Sequence, residues 1–133
     1  MIHTNSDGGA RGNPGPGAIG VLVRDEGKIL IKYSKKIGEH SITNNVAEYS
    51  ALIKALELAS KITDNEITCN LDSELVVNQL LGKYKVRHPT IMELFLKVQK
   101  LQENFKSVKY IHVSREDTFQ QIVDELLNEE LDR

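Results

Sequence analysis

The sequence is poor in cysteine and has no tryptophan and no long apolar segment. Because Cys69 is the sole cysteine among 133 residues, an internal disulfide and a thiolate metal cluster are excluded. The longest obvious apolar run, residues 18–23, is far shorter than the roughly 20 residues that span a bilayer. The first residues lack the apolar core of a signal peptide. We therefore expect a cytoplasmic protein without membrane association.

Charge is nearly balanced overall but is segregated along the chain. Lys and Arg number 17 against 19 Asp and Glu, which gives a formal net charge of −2. Residues 83–109 hold seven Lys or Arg against two Glu, whereas residues 116–133 hold seven Asp or Glu against one Arg. The basic part favours contact with a polyanion, although two solvated helix faces would explain the same pattern. Length and composition fit one globular domain over residues 1–133.

The spacing of apolar and turn residues predicts five strands and four helices. The first strand runs into a turn at Asp7-Gly8, and the second and third form a hairpin around Glu26-Gly27. The order βββ-α-β-α-α-β-α predicts an α/β fold, with one mixed sheet, three antiparallel strands first, and helices packed on it. The predicted strands are residues 1–6, 18–25, 28–37, 66–71 and 108–113. The predicted helices begin after Thr43, at residue 74, at Pro89 and near Phe119, and the second of them ends at residue 81.

Four carboxylates occupy positions that suit a shared site. Asp7 and Asp72 lie at the ends of the first and fourth strands, which meet if these strands are neighbours in the sheet. Glu48 lies on the buried stripe of the first long helix, and Asp124 lies inside the last helix. Each also has an ordinary structural explanation: a turn residue at Asp7, an N-cap at Asp72, a capping box between Asn45 and Glu48, and helix surface at Asp124.

Convergence of these acids would require a cation among them, because the carboxylates repel one another. Hard oxygen ligands favour Mg²⁺ or Mn²⁺, and the four histidines show no paired spacing suited to zinc. Two such ions about 3.5–4 Å apart form a standard device for phosphodiester cleavage, in which one activates water and the other stabilises the leaving oxygen.

Six of the nine glycines lie within residues 8–20. Gly15, Gly17 and Gly20 match the spacing of a dinucleotide-binding turn, but a strand rather than a helix follows them, so we discard that function. We predict instead an irregular loop over residues 8–17 whose backbone lets a ligand approach closely. Side-chain amides that can form hydrogen bonds with sugar hydroxyls and base edges are present at Asn13, Asn44 and Asn45. These asparagines could equally serve as turn and cap residues.

Four motifs in this order resemble the type 1 ribonuclease H family. They are residues 7–18 (DGGARGNPGPGA), residues 43–49 (TNNVAEY), Leu71-Asp72-Ser73, and residues 112–116 (HVSRE) with the later Asp124. The resemblance covers roughly residues 1–131, and the predicted element order agrees with the ribonuclease H-like fold. It implies an endonuclease that hydrolyses the RNA strand of RNA/DNA hybrids with two Mg²⁺ or Mn²⁺ ions. We also expect a monomer that uses no organic cofactor.

The resemblance also implies roles for individual residues. Four acids would bind the metal ions: Asp7, Glu48, Asp72 and Asp124. A second set would bind the substrate: Gly8, Gly12, Asn13, Asn44, Asn45, Ser73 and Arg115. Of these, Gly12 and the three asparagines would contact the hybrid across its minor groove, where the 2′-hydroxyl distinguishes RNA from DNA, and Arg115 would contact a phosphate.

The sequence departs from the family pattern in its last motif. The acid expected seven residues after Arg115 is replaced by Ile122, so Asp124 aligns only with a two-residue insertion, and Asp117 is a rival ligand. The flexible-loop histidine of the bacterial form has no counterpart, which leaves Glu116 or water for proton transfer.

The basic handle of longer family members is also missing. Its local substitute is a short stretch containing Lys83, Lys85, Arg87 and His88. We therefore predict weaker and steeply salt-dependent hybrid binding.

Three functions remain possible from the sequence. The matches at Asp7, Glu48 and Asp72 favour the metal-dependent hydrolase. The displaced Asp124 favours instead a non-catalytic module that binds hybrids on a ribonuclease H fold. A domain of a larger polymerase-like protein is a third possibility, which the self-contained start and finish make less attractive.

Overall fold

The computed structural model describes residues 1–133, and its elements follow the predicted order. The predicted α/β class and mixed five-stranded sheet are confirmed. The strands are β1 (Ile2–Ala10), β2 (Gly15–Asp25), β3 (Lys28–Ile42), β4 (Ile67–Leu71) and β5 (Val108–His112). The helices are α1 (Asn44–Ser60), α2 (Glu74–Leu80), α3 (Pro89–Gln102) and α4 (Thr118–Leu131).

The central strand β1 brings distant parts of the chain together. The sheet order is β3-β2-β1-β4-β5, with β1 antiparallel to β2 and parallel to β4. The parallel pairing between β1 and β4 ends at Ser6 and Leu71. The next residue of each chain segment, Asp7 and Asp72, therefore emerges at the same edge of the sheet.

Helices cover both faces of the sheet. Successive side chains of a strand point to opposite faces. At Gly8 the strand β1 abuts the backbone of Ala47 in α1, whereas at Gly9 it faces Leu127 of α4. The larger core lies on the α1 side and includes the fully buried Tyr49. No helix has both the length and the apolar character needed to cross a membrane.

The predicted end of the first strand and the predicted loop over residues 8–17 are wrong. Strand β1 continues to Ala10 and β2 begins at Gly15, so that only residues 11–14 connect them. The glycines are needed for close packing, because a Cβ on Gly8 would lie 2.1 Å from the Ala47 carbonyl oxygen. A Cβ on Gly17 would lie 2.4 Å from Ile42 Cγ2, in the part of β3 that extends beyond the predicted end at residue 37.

Neither Glu48 nor Asp72 caps a helix, because other residues do so. Thr43 caps α1 by accepting a hydrogen bond from the amide of Val46, and Ser73 caps α2 by accepting one from the amide of Val76. The alternative explanations of Glu48 as part of a capping box and of Asp72 as an N-cap are therefore wrong. The end of α2 also lies one residue earlier than predicted, at Leu80.

Candidate active site

Asp7, Glu48 and Asp72 converge at one edge of the sheet. One carboxylate oxygen from each lies within 4.8 Å of the other two. The sheet register brings Asp7 next to Asp72, as described above. Glu48 joins them because Gly8 has no side chain, since a Cβ there would lie only 2.6 Å from the Glu48 amide nitrogen.

Asp124 reaches the same place from the opposite face of the sheet. It lines a cavity of about 360 Å³ together with Asp7, Glu48 and Asp72, which we call the acidic cavity. Helix α4 can approach because the register partner of Asp7 is Gly20, where a Cβ would lie 2.3 Å from the Val123 carbonyl oxygen.

The rival acid, Asp117, has a different place in the structure. Its carboxylate accepts hydrogen bonds from the amides of Phe119 and Gln120, both at 3.0 Å, and so caps α4. It does not line the acidic cavity. Asp117 and Asp124, the two candidates for the fourth metal ligand, therefore lie in different places in the structure.

Burial, with mutual repulsion, raises the proton affinity of the clustered carboxylates. Burial, followed by the charges of Asp72, Glu48 and Asp124, raises the pKa of Asp7 well above its usual range. Burial raises the pKa of Glu48 to about 7, although a hydrogen bond with Ser73 opposes the shift. Without a bound cation the cluster therefore retains protons that isolated carboxyl groups would lose at neutral pH.

Two arginines line the acidic cavity: Arg11 is paired with Asp132, and Arg115 lies beside the carboxylate cluster. Arg115 Nε is 4.0 Å from Asp72 Oδ2, and its charge opposes the rise in the Asp72 pKa that burial causes. The Arg115 side chain is 90% exposed, so solvent weakens this attraction. Its guanidinium remains available for an anion placed over the acidic cavity.

The cluster has the donor chemistry of a divalent metal site. All of its acidic ligands are carboxylate oxygens, which Mg²⁺ and related hard cations prefer. A bound cation would also oppose the burial and the repulsion that together raise the pKa of Asp7. The residues present therefore fit a divalent cation.

A second cavity of about 600 Å³ begins at the N-terminus of α1 and includes three asparagines, and we call it the amide cavity. Asn44 Oδ1 accepts from the Ala10 amide at 2.9 Å, and Asn13 Oδ1 accepts from the Asn44 amide at 3.0 Å. These bonds tie residues 11–14 to α1. The oxygens are used within the protein, and the side-chain nitrogens of Asn13 and Asn44 are left as donors. The residues that line the amide cavity are Asn13, Ser41, Thr43, Asn44, Asn45, Val46, His88, Thr90 and Ile91.

The other residues predicted to contact substrate have varied surroundings. Gly12, which has a φ of +70°, is in the β1–β2 connection. Gly8 lines the acidic cavity, but its lack of a side chain is explained by the packing of α1. Ser73 caps α2 and lies beside Glu48.

Sequence reasoning missed several residues that line the two cavities. Asn128 follows Asp124 by four residues on the same face of α4, a spacing that was available in the sequence. Thr43 and Thr90 enter the amide cavity from two elements that adjoin only in the folded chain, and His88, assigned in the sequence to the substitute for the basic handle, lines it as well. No local pattern links them.

The fold has close counterparts in known proteins. A family profile described as reverse transcriptase-like matches residues 5–128. The crystal structure of LC11-RNase H1 in complex with an RNA/DNA hybrid is 43% identical, has a TM-score of 0.92, and covers 99% of this chain and 97% of its own. RNase H1 from Halobacterium salinarum is 36% identical, has a TM-score of 0.90, and covers 98% of this chain and 97% of its own.

The chain belongs to the type 1 ribonuclease H family. It is a short form, because residues 81–88 alone separate α2 from α3 and leave no room for the basic handle. Curated relatives include the bifunctional protein Rv2228c of Mycobacterium tuberculosis and ribonuclease HI of H. salinarum, each 39% identical over 98% of this chain. The chain spans only 35% and 64% of their respective lengths.

Proposed function

We propose that this ribonuclease H is an endonuclease that hydrolyses the RNA strand of RNA/DNA hybrids. The observation that carries the proposal is the convergence of Asp7, Glu48 and Asp72 within 4.8 Å. The amide cavity adjoins the acidic cavity at Asn44, which lines both, and supplies side-chain amide donors that a nucleic acid can accept from. The 43% identical neighbour that binds an RNA/DNA hybrid supports the choice of substrate.

The four acids would hold two divalent cations, Mg²⁺ or Mn²⁺. Asp7, Glu48, Asp72 and Asp124 would supply the carboxylate oxygens that hold them. When bound, the cations supply an activated water and stabilise the leaving oxygen of the phosphodiester. The protein itself supplies the fixed carboxylates, because β1, α1, β4 and α4 hold them in place before substrate arrives.

Arg115 would bind a phosphate of the substrate at the mouth of the acidic cavity. Its exposed guanidinium lies beside Asp72 and can form two parallel hydrogen bonds to phosphate oxygens. Ser73 would keep Glu48 oriented toward the cavity through the hydrogen bond that opposes the rise of the Glu48 pKa.

The amide cavity would read the minor groove of the hybrid. The free side-chain nitrogens of Asn13 and Asn44 can donate to 2′-hydroxyls or to base acceptors, and Asn45 adds a further amide. The 2′-hydroxyl is the group that distinguishes RNA from DNA, and it is accessible in the shallow minor groove. Gly12 would let the backbone of the connection approach the sugar.

A non-catalytic hybrid-binding module is the less favoured function. It was suggested by the displacement of Asp124 in the sequence. In the folded chain Asp124 lines the acidic cavity with the other three acids, so the displacement does not remove a carboxylate from the cluster.

The test is strand-specific cleavage. A hybrid labelled separately on each strand is incubated with the protein in Mg²⁺, in Mn²⁺ and in EDTA, beside double-stranded DNA. We expect cleavage of the RNA strand alone, in metal alone. Glu48→Gln should slow it by at least about 100-fold, whereas Glu57→Gln, an exposed glutamate on the same helix, should leave it unchanged.

Two results would contradict the proposal. One is cleavage of the DNA strand or of double-stranded DNA. The other is hybrid binding without turnover in either metal, which would establish the binding module instead.

A further inference from the structure

Two buried amides join α4 to the central strand. Gln120 is fully buried, and its Nε2 donates to the Ser6 carbonyl oxygen at 2.8 Å. Its Oε1 accepts from Nδ2 of Asn5, also fully buried, at 3.1 Å. We call Asn5 and Gln120 the amide clamp.

The amide clamp is close in the chain to two of the four acids, Asp7 and Asp124. Ser6, whose carbonyl it holds, directly precedes Asp7 on β1. Gln120 precedes Asp124 by four residues, so the two side chains occupy the same face of α4 one turn apart. The clamp therefore links the backbone segments that carry Asp7 and Asp124.

A third side chain fixes the orientation of the clamp. Arg24 Nε donates to Asn5 Oδ1 at 3.0 Å, which directs the Asn5 nitrogen toward Gln120. The guanidinium of Arg24 also stacks on the Phe119 ring, 4.0 Å from its centroid, at the start of α4. Each amide thus has one orientation that satisfies its neighbours.

We propose that Gln120 and Asn5 are positioning residues that hold Asp124 against Asp7 in the metal site. The inference rests on the proposed function of these acids as metal ligands. The apolar contacts of α4 fix its distance from the sheet but tolerate small rotations and slides, whereas buried hydrogen bonds are directional. A rotation of α4 would move Asp124 away from the cluster, and the clamp prevents it.

The test measures binding of the metal alone. Calorimetric titration with Mn²⁺, well below the unfolding temperature of every variant, compares wild type with Gln120→Met, Asp124→Asn and the double variant. We expect Gln120→Met to weaken Mn²⁺ binding by about 10-fold, the scale observed when residues that orient metal ligands are removed. The double variant should bind no more weakly than Asp124→Asn, because the clamp acts through Asp124.

A matched control separates positioning from general loss of stability. Tyr110→Phe removes the 2.8 Å hydrogen bond that the Tyr110 hydroxyl donates to Gln102, between β5 and the end of α3. We expect it to lower the unfolding temperature and to leave Mn²⁺ affinity unchanged. If Gln120→Met does not fold, Asn5→Ala keeps the bond to Ser6 and should show a smaller loss of affinity in the same direction.

The proposal is overturned if Gln120→Met, or Asn5→Ala in its place, binds Mn²⁺ as wild type does. It is also overturned if the losses from Gln120→Met and Asp124→Asn add, or if wild type binds no Mn²⁺. The titration involves no turnover. Failure of the cleavage assay with an intact Mn²⁺ response would therefore reject the endonuclease and not the clamp.

Discussion

At the scale of single residues, Asp7 opposes the stability of the metal-free fold. Its carboxyl group is buried among three others, which raises its pKa above that of the unfolded chain. The folded state therefore binds the proton more tightly than the unfolded state, and stability falls as the pH rises above about 4. We predict that Asp7→Asn increases the free energy of unfolding of the metal-free protein at pH 8 by about 1 kcal/mol or more, and by less at pH 5.

Denaturant unfolding in EDTA at both pH values measures this effect. Asp64→Asn is the control, because Asp64 is an exposed acid in the α1–β4 connection. It should change the free energy of unfolding little at either pH. An Asp7→Asn variant less stable than wild type at pH 8 would contradict the account of the acidic cavity as a repulsive cluster.

At the scale of elements, the crossing of α4 over β2 depends on Gly20. A Cβ at this position would lie 2.3 Å from the Val123 carbonyl oxygen and 3.2 Å from Leu126 Cβ. Because the nearest atom belongs to the helix backbone, α4 itself would have to move. We predict that Gly20→Ala lowers the free energy of unfolding by about 1–3 kcal/mol and raises the metal concentration needed for half-maximal cleavage.

Gly27→Ala provides the matched control, since an added Cβ there meets no atom within 4 Å. Thermal unfolding and a Mg²⁺ titration of cleavage measure both variants. We expect Gly27→Ala to behave as wild type. A Gly20→Ala variant with unchanged stability and metal requirement would show that α4 does not depend on this close approach.

The glycine-rich region shows how far an element could be predicted from sequence. The apolar, β-branched residues 18–25 and the hairpin turn at Glu26-Gly27 predicted that β2 and β3 exist, but β2 begins three residues earlier and β3 ends five residues later than predicted. Gly8 and Gly17 were interpreted as loop residues because glycine favours turns. In the structure Gly8 packs against Ala47 and Gly17 packs against Ile42, which lie 39 and 25 positions away in the chain. Rules based on neighbouring residues cannot predict contacts between such distant positions.

The same limit applies to the site. The meeting of Asp7 with Asp72 could be predicted, because neighbouring strands end together. The amide clamp could not be predicted, since Asn5 and Gln120 are 115 positions apart and a glutamine in a helix usually faces solvent.

At the scale of the whole molecule, charge segregation would set the strength of hybrid binding. Lys83, Lys85 and Arg87 are exposed and precede His88, which lines the amide cavity. We predict that each of these cations that contacts a phosphate contributes about 0.7–0.9 to the slope of log affinity against log salt. Replacing all three by alanine should weaken hybrid binding at low salt and flatten this slope.

Binding isotherms at several salt concentrations, measured with a hybrid in EDTA, provide the slope. The control replaces Lys61 and Lys106, exposed cations near the end of α1 and before β5, at the end of the sheet opposite Asp72. It should leave the slope unchanged. Equal slopes for wild type and the triple variant would exclude this segment from the interface.

We propose that four acids, including the displaced Asp124, form one site that cleaves RNA. The most direct measurement is the rate of RNA-strand cleavage by Asp124→Asn and by Asp117→Ala, with hybrid affinity measured in parallel. We predict that Asp124→Asn cleaves at least about 100-fold more slowly with unchanged affinity. Asp117→Ala should retain cleavage and lose about 1 kcal/mol of stability through its missing cap. Wild-type rates in Asp124→Asn, together with loss of cleavage in a folded Asp117→Ala, would contradict the claim.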